Sequence, residues 1–241
     1  MEFVIEENYE AASRAAADII AAQVAEKPNC VLGLATGSTP IGAYDELVAK
    51  VGRGEISFKD VTTFNLDEYA GLDGEHDQSY RWFMNHHLFD RVDIDKSRTH
   101  VPSGNSHDPE KMCEDYEAAI EAAGGVDLQL LGLGHNGHIG FNEPCDEFPV
   151  TTHYVELTQS TIEANSRLFD SIDDVPTAAY TMGIGTIMKA KKVVLMATGA
   201  GKAEIVAKAF AGDVTPQVPA SILQSHPDVV IVLDKEAASQ L

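Results

Sequence analysis

Between Leu131 and Pro144 the sequence reads LGLGHNGHIGFNEP, which gathers an amide, an imidazole and a carboxylate (Asn136, His138 and Glu143) into one glycine-rich stretch. Gly132, Gly134 and Gly137 spell G-x-G-x-x-G, the spacing of a dinucleotide-binding turn. Such a turn needs a helix to open at its third glycine, so that free N–H groups meet the pyrophosphate. Here HIGFNEPCDEFP follows, with Gly140, Pro144 and Pro149, and it is a poor helix former. A second reading takes His135, His138 and Glu143 as metal ligands, although their spacing matches no familiar metal site. The bland reading is a polar turn holding a structural histidine. Glycines let a backbone turn sharply and let a ligand come close. An imidazole beside an amide and a carboxylate, after a buried apolar run, favours a catalytic loop doing acid/base work near neutral pH.

A second cluster lies in FNLDEY, where Asp67 and Glu68 follow an apolar run. Side chains of neighbouring residues diverge at a strand end, so one carboxylate is expected to face a cleft. A carboxylate there suits proton abstraction beside a carbonyl. The competing expectation is a pair of solvated charges or a helix cap. GLATGSTP places Thr36, Gly37, Ser38 and Thr39 ahead of a helix beginning near Pro40, and hydroxyls with free N–H groups at such a terminus make an anion site. Lys202 opens a later helix after another strand, and Arg167 follows EANS. Both are expected to grip a phosphate, against the common alternative of plain surface charges.

The elements that must position these residues follow from the apolar pattern. CVLGLAT, DVTTFNL, VDLQLLGLG, KKVVLMATG and PDVVIVLD read as strands. IGAYDELVAKV, SYRWFMNHHLF, PEKMCEDYEAAIEAAGG and KAEIVAKAFAG read as helices between them. Such alternation predicts an α/β fold: a three-layer, Rossmann-like, mostly parallel sheet with helices on both faces. Ligands in such sheets bind at the carboxyl ends of strands, which selects the loops 35–40, 65–69, 134–144 and 198–202. A single domain is expected over residues 1–241, with the irregular segment 145–175 as a lid. The 241 residues are 44% hydrophobic, enough for a sizeable core. Seventeen basic against 38 acidic residues give a formal net charge of −21, which repels nucleic acid and anionic lipid. Cys30, Cys113 and Cys145 are widely spaced and odd in number, so no disulfide framework is expected. With an acidic N-terminus and no apolar run of membrane length, a cytoplasmic protein is expected.

Taken together, LGLATGSTP, TFNLDEY, GLGHNGHIGFNEP and NSRLF resemble the glucosamine-6-phosphate deaminase family, in order and over nearly the whole chain. The related 6-phosphogluconolactonases typically show D-E-R where this chain has Asp67, Glu68 and Tyr69, and they lack F-N-E-P. The resemblance implies Asp67 as the enolisation base, and His138 as the ring-opening acid/base with Glu143 as its support. Asn136 matches a position that is Asp in other members. Gly37, Ser38, Arg167 and Lys202 match phosphate contacts. The implied activity is amino-sugar phosphate deamination on a small-molecule sugar phosphate, with no cofactor and no metal. A lactonase or a non-catalytic sugar-phosphate sensor are the alternatives. The short tail after VVIV leads us to expect simple kinetics and a monomer or small homo-oligomer.

Overall fold

The computed structural model describes residues 1–166, 169 and 171–241. In chain order its strands are β1 (Glu2–Glu6), β2 (Val31–Leu34), β3 (Thr62–Asn65), β4 (Asp67–Tyr69), β5 (Thr99–His100), β6 (Leu128–Gly132), β7 (His153–Glu156), β8 (Ala178–Thr181), β9 (Lys192–Ala197) and β10 (Val229–Asp234). The α-helices are α1 (Tyr9–Glu26), α2 (Ile41–Gly52), α3 (Tyr80–His87), α4 (Pro109–Ala122), α5 (Gln159–Asn165), α6 (Ile184–Ile187) and α7 (Ala203–Phe210). Seven strands form one sheet in the order β1-β10-β9-β6-β2-β3-β5, every pair parallel.

β2 and β10 are buried along their whole length, and β6 and β9 nearly so. That is why they read as continuous apolar runs rather than alternating ones: a parallel strand in this fold is covered on both faces. From β2 the chain runs outward to β3 and β5, then returns through α4 to β6 on the other side of β2. The winding therefore reverses between β2 and β6, and a crevice opens at the carboxyl ends of those two strands.

β1 and α1 escape the apolar-run reading. β1 is a half-exposed edge strand, and α1 buries mainly alanines (Ala12, Ala16, Ala17 and Ala21, with Ile20 and Val24) that carry little hydropathic contrast.

A second, antiparallel sheet of order β4-β8-β7 stands beside the first. Leu66 joins the two, since its N–H donates to Leu34 O and its carbonyl accepts from Met182 N. The segment expected to be an irregular lid is more regular than its sequence suggested. It contributes β7 to this small sheet, then α5, capped by the Thr158 side chain, then a 3-10 turn at Ile172–Asp174. Antiparallel pairing of β7 with β8 depends on residues distant in sequence, and four residues of alternating burial carry little periodic signal.

Candidate functional site

The short kink at Leu66 determines where the two carboxylates go. Asp67 follows the carboxyl end of β3 and begins β4, paired with Thr181 of β8. Both carboxylates are buried, with Asp67 6% and Glu68 1% exposed, so the solvated-charge expectation does not hold. Glu68 Oε1 accepts the N–H groups of Tyr69 and Tyr80, and Oε2 accepts that of Arg81. It thus serves the first turn of α3, the helix-cap role weighed for the pair. Asp67 turns instead toward the glycine-rich loop, because a Cβ on Gly140 would lie 3.5 Å from its Oδ2 and 2.7 Å from Thr181 Oγ1. Gly140 adopts φ +58, so a side chain there would be both strained and crowded. Burial, with Glu68 beside it, pushes the Asp67 carboxyl up to about 8. Burial also raises Glu68, to about 7, against the pull of its three backbone donors.

The loop after β6 presents the imidazole. A Cβ at Gly134 would fall 2.3 Å from the His138 ring, so a glycine is required for the ring to lie against the backbone there. Gly134 N–H donates to His138 O, and Gly137 N–H to Gly134 O, which closes the turn. His138 Nδ1 stands 3.3 Å from Glu143 Oε1. Asn136 Nδ2 donates to Glu143 Oε2, while Asn136 Oδ1 accepts the His138 N–H. Thr161 of α5 donates its hydroxyl to Glu143 Oε1. Burial alone would raise the Glu143 carboxyl, but His138, Thr161 and Asn136 outweigh it and hold the group down at about 2. The loop is tied to the small sheet by Asn142, whose amide donates to Ile139 O and Met182 O, and by Phe141 N–H donating to Thr181 Oγ1. The loop that bears His138 and Glu143 is therefore tied through Thr181 and Met182 to the small sheet that carries Asp67.

Thr36, Gly37 and Ser38 form the turn after β2, with Gly37 at φ +96 and space beyond it. They lie ahead of the twelve-residue helix α2. Tyr9 of α1 fixes this turn, its hydroxyl donating to Ser38 O and accepting Gly42 N–H. Lys202 follows β9, the strand beside β6, and its Nζ donates to Leu133 O at 2.6 Å. Burial lowers its pKa. Lys202 is also the foremost cause, ahead of burial and His138, that pushes the His135 imidazole down. The cation is thus placed against the loop that bears His138. Arg167 lies outside the described residues. His135, His138 and Glu143 do not assemble as a ligand set: among the described residues no group of three or more His, Cys, Asp and Glu is placed to hold a metal ion.

Two clefts of about 1080 and 630 Å3 open elsewhere and include none of these residues. The first is lined by Glu110, Glu114, Glu117 and Glu121, a surface that repels anions. Thr161, Tyr9, Asn142 and Thr181 were not singled out in the sequence. For Thr161 the local signal is a T-x-x-T helix start, which reveals the cap but not the carboxylate eighteen residues away.

The family model for glucosamine-6-phosphate isomerases/6-phosphogluconolactonases matches residues 5–231. A glucosamine-6-phosphate deaminase of Clostridium perfringens is 53% identical over 241 residues, covering 100% of both chains. One from Halothermothrix orenii is 54% identical, with the same coverage. A solved structure described as a monomeric glucosamine-6-phosphate deaminase superposes with a TM-score of 0.97 at 46% identity, covering 100% of each chain. A 6-phosphogluconolactonase from Trypanosoma brucei superposes at 0.78 with 20% identity over 100% of this chain and 98% of its own, a likeness of fold alone.

Proposed function

Since the chain belongs to the glucosamine-6-phosphate isomerase/6-phosphogluconolactonase family, we propose that it is an enzyme converting glucosamine 6-phosphate and water into fructose 6-phosphate and ammonia. The observation that carries this reading is the buried carboxyl of Asp67 turned toward Gly140, in the same loop that bears the His138–Glu143 pair.

The substrate is a closed hemiacetal, so its ring oxygen must gain a proton and its anomeric hydroxyl lose one. An imidazole can do both near neutral pH. With Nδ1 turned to Glu143, Nε2 is the nitrogen of His138 left to face the sugar. The opened C1 aldehyde acidifies the proton on C2. Asp67 takes that proton and returns it to C1, leaving an imine at C2. Water adds to the imine and ammonia departs, a hydrolytic step after an isomerising one. The phosphate lies at the turn of Thr36, Gly37 and Ser38, with Lys202 and Arg167 as its cations.

The lactonase reading is weaker at one specific residue. Tyr69, where that branch typically carries arginine, is packed among Tyr80, Phe141 and Phe169. We also propose a monomer or small homo-oligomer acting on small molecules in the cytoplasm. Among the described residues no helix is long and apolar enough to cross a membrane. Chelator-treated protein should release ammonia from glucosamine 6-phosphate at full rate and act very poorly on unphosphorylated glucosamine. Acid release from 6-phosphogluconolactone without ammonia release from the amino sugar would overturn the reading, and loss of activity that zinc restores would refute metal independence.

A further inference from the structure

The carboxylate that supports His138 is held by more than its own loop. Oε1 of Glu143 faces His138 Nδ1 at 3.3 Å and also accepts the hydroxyl proton of Thr161, the third residue of α5. The Thr161 hydroxyl in turn accepts from Thr158 Oγ1 at 3.0 Å, so its acceptor side is occupied and its own proton is directed at Glu143. Thr161 is buried, and its β-branched side chain has little rotamer freedom. Its N–H is fixed by the carbonyl and the side chain of Thr158, the N-cap of the helix. Asn136 holds the other oxygen, Oε2. A carboxylate bonded at both oxygens is restrained from rotating about its terminal bond, with Oε1 held beside the imidazole Nδ1.

We propose that Thr161 is a positioning residue of the reaction, acting through Glu143 to orient His138, so that the seating of α5 sets the geometry of proton transfer at the sugar ring. This rests on the proposed function of the His138–Glu143 pair. A role confined to folding α5 would lower stability and leave turnover per folded molecule intact, whereas a positioning role predicts the reverse.

The test measures kcat and KM for glucosamine 6-phosphate in single and double variants, with the Tm of each. Thr161→Val keeps the shape and removes the donor. Hydrogen bonds to charged groups are worth about 1.5–3 kcal/mol, so kcat should fall roughly ten- to hundredfold with KM within about twofold. Thr161→Ser should recover kcat to within about threefold of the parent. In a Glu143→Gln background, Thr161→Val should cost almost nothing further, because the group it positions is gone. If valine lowers Tm sharply, Thr161→Ala replaces it under the same criteria. An equal fractional loss in both backgrounds, or a serine variant no better than valine, overturns the proposal. A Glu143→Gln enzyme with parental kcat would instead remove the His138–Glu143 reading beneath it, an outcome distinguishable from failure at Thr161 alone.

Discussion

Asp67 and Glu68 are adjacent residues of like charge, both buried, and their roles separate by what they face. Glu68 spends its oxygens on three backbone N–H groups. Asp67 faces Gly140 and the loop that bears His138. Asp67→Asn keeps the shape and removes the base, so kcat should fall about 10²–10⁴-fold with little change in KM. The variant should also fail to incorporate deuterium at C2 when given fructose 6-phosphate and ammonium in heavy water. Glu68→Gln should keep that exchange while losing thermal stability, and the opposite pattern would show that the wrong carboxylate has been chosen. The base must be ionised to work. With Asp67 raised to about 8, kcat/KM should climb with pH through that value in the parent. At the neighbouring loop, Asn136 donates to Glu143, which a carboxylate at that position could not do unless protonated. Asn136→Asp should therefore raise the Glu143 carboxyl from its depressed value of about 2, as followed by the carboxyl carbon resonance of Glu143 across a pH titration. An unmoved Glu143 titration would show that the amide does not tune this carboxylate.

At the scale of elements, the site is made by turns rather than by the strands they leave. The loop after β6 can carry an imidazole against its own backbone only because position 134 has no Cβ. Gly134→Ala would bring a methyl carbon to 2.3 Å from the ring, so His138 must swing away. Since a misplacement of about 1 Å can cost about 10²-fold, a kcat loss of that order is expected with far-ultraviolet circular dichroism unchanged. An alanine variant with full activity would mean that His138 works from another position. The kink at Leu66 has the same logic, because one residue shared between two sheets turns Asp67 out of the parallel sheet and into β4.

Over the whole molecule, burying two raised carboxyls leaves a stability cost that depends on pH. Asp67, raised by burial and then by Glu68, and Glu68, raised by burial, bind protons more tightly folded than unfolded. Their stabilising contribution is complete below the unfolded carboxylate range near pH 4 and is lost as pH rises through about 7 and 8. Glu143, held at about 2 chiefly by His138 against burial, runs the other way: its contribution is present above the ordinary carboxylate range and lost as pH falls through about 2. A Tm series from pH 5 to 9 should therefore decline toward the alkaline end. Asp67→Asn should flatten that decline and exceed the parent at pH 9 by roughly 5 °C, a stabilisation obtained at the expense of activity. Parallel curves for the two proteins would refute the assignment of the slope to Asp67.

From its residue order alone, this chain determined the α/β class, the parallel strands, the glycine-rich loop with Asn136, His138 and Glu143, and the carboxylate pair at residues 67 and 68. These features are local: continuous apolar runs, glycine stops and polar residues clustered within a few positions. The tertiary structure decided what depends on distant partners. Which carboxylate serves the helix and which faces the loop follows from Tyr80, Arg81 and Gly140. The pairing of β7 with β8 inside the expected lid joins residues some 25 apart. Tyr9 comes to the 36–38 turn, and Thr161 to Glu143, across intervening elements. Apolar pattern reports which face of a segment is buried, because burial depends on period. It carries no record of which buried polar atoms meet, since a hydrogen bond depends on separations of a few ångströms that only the assembled sheets impose.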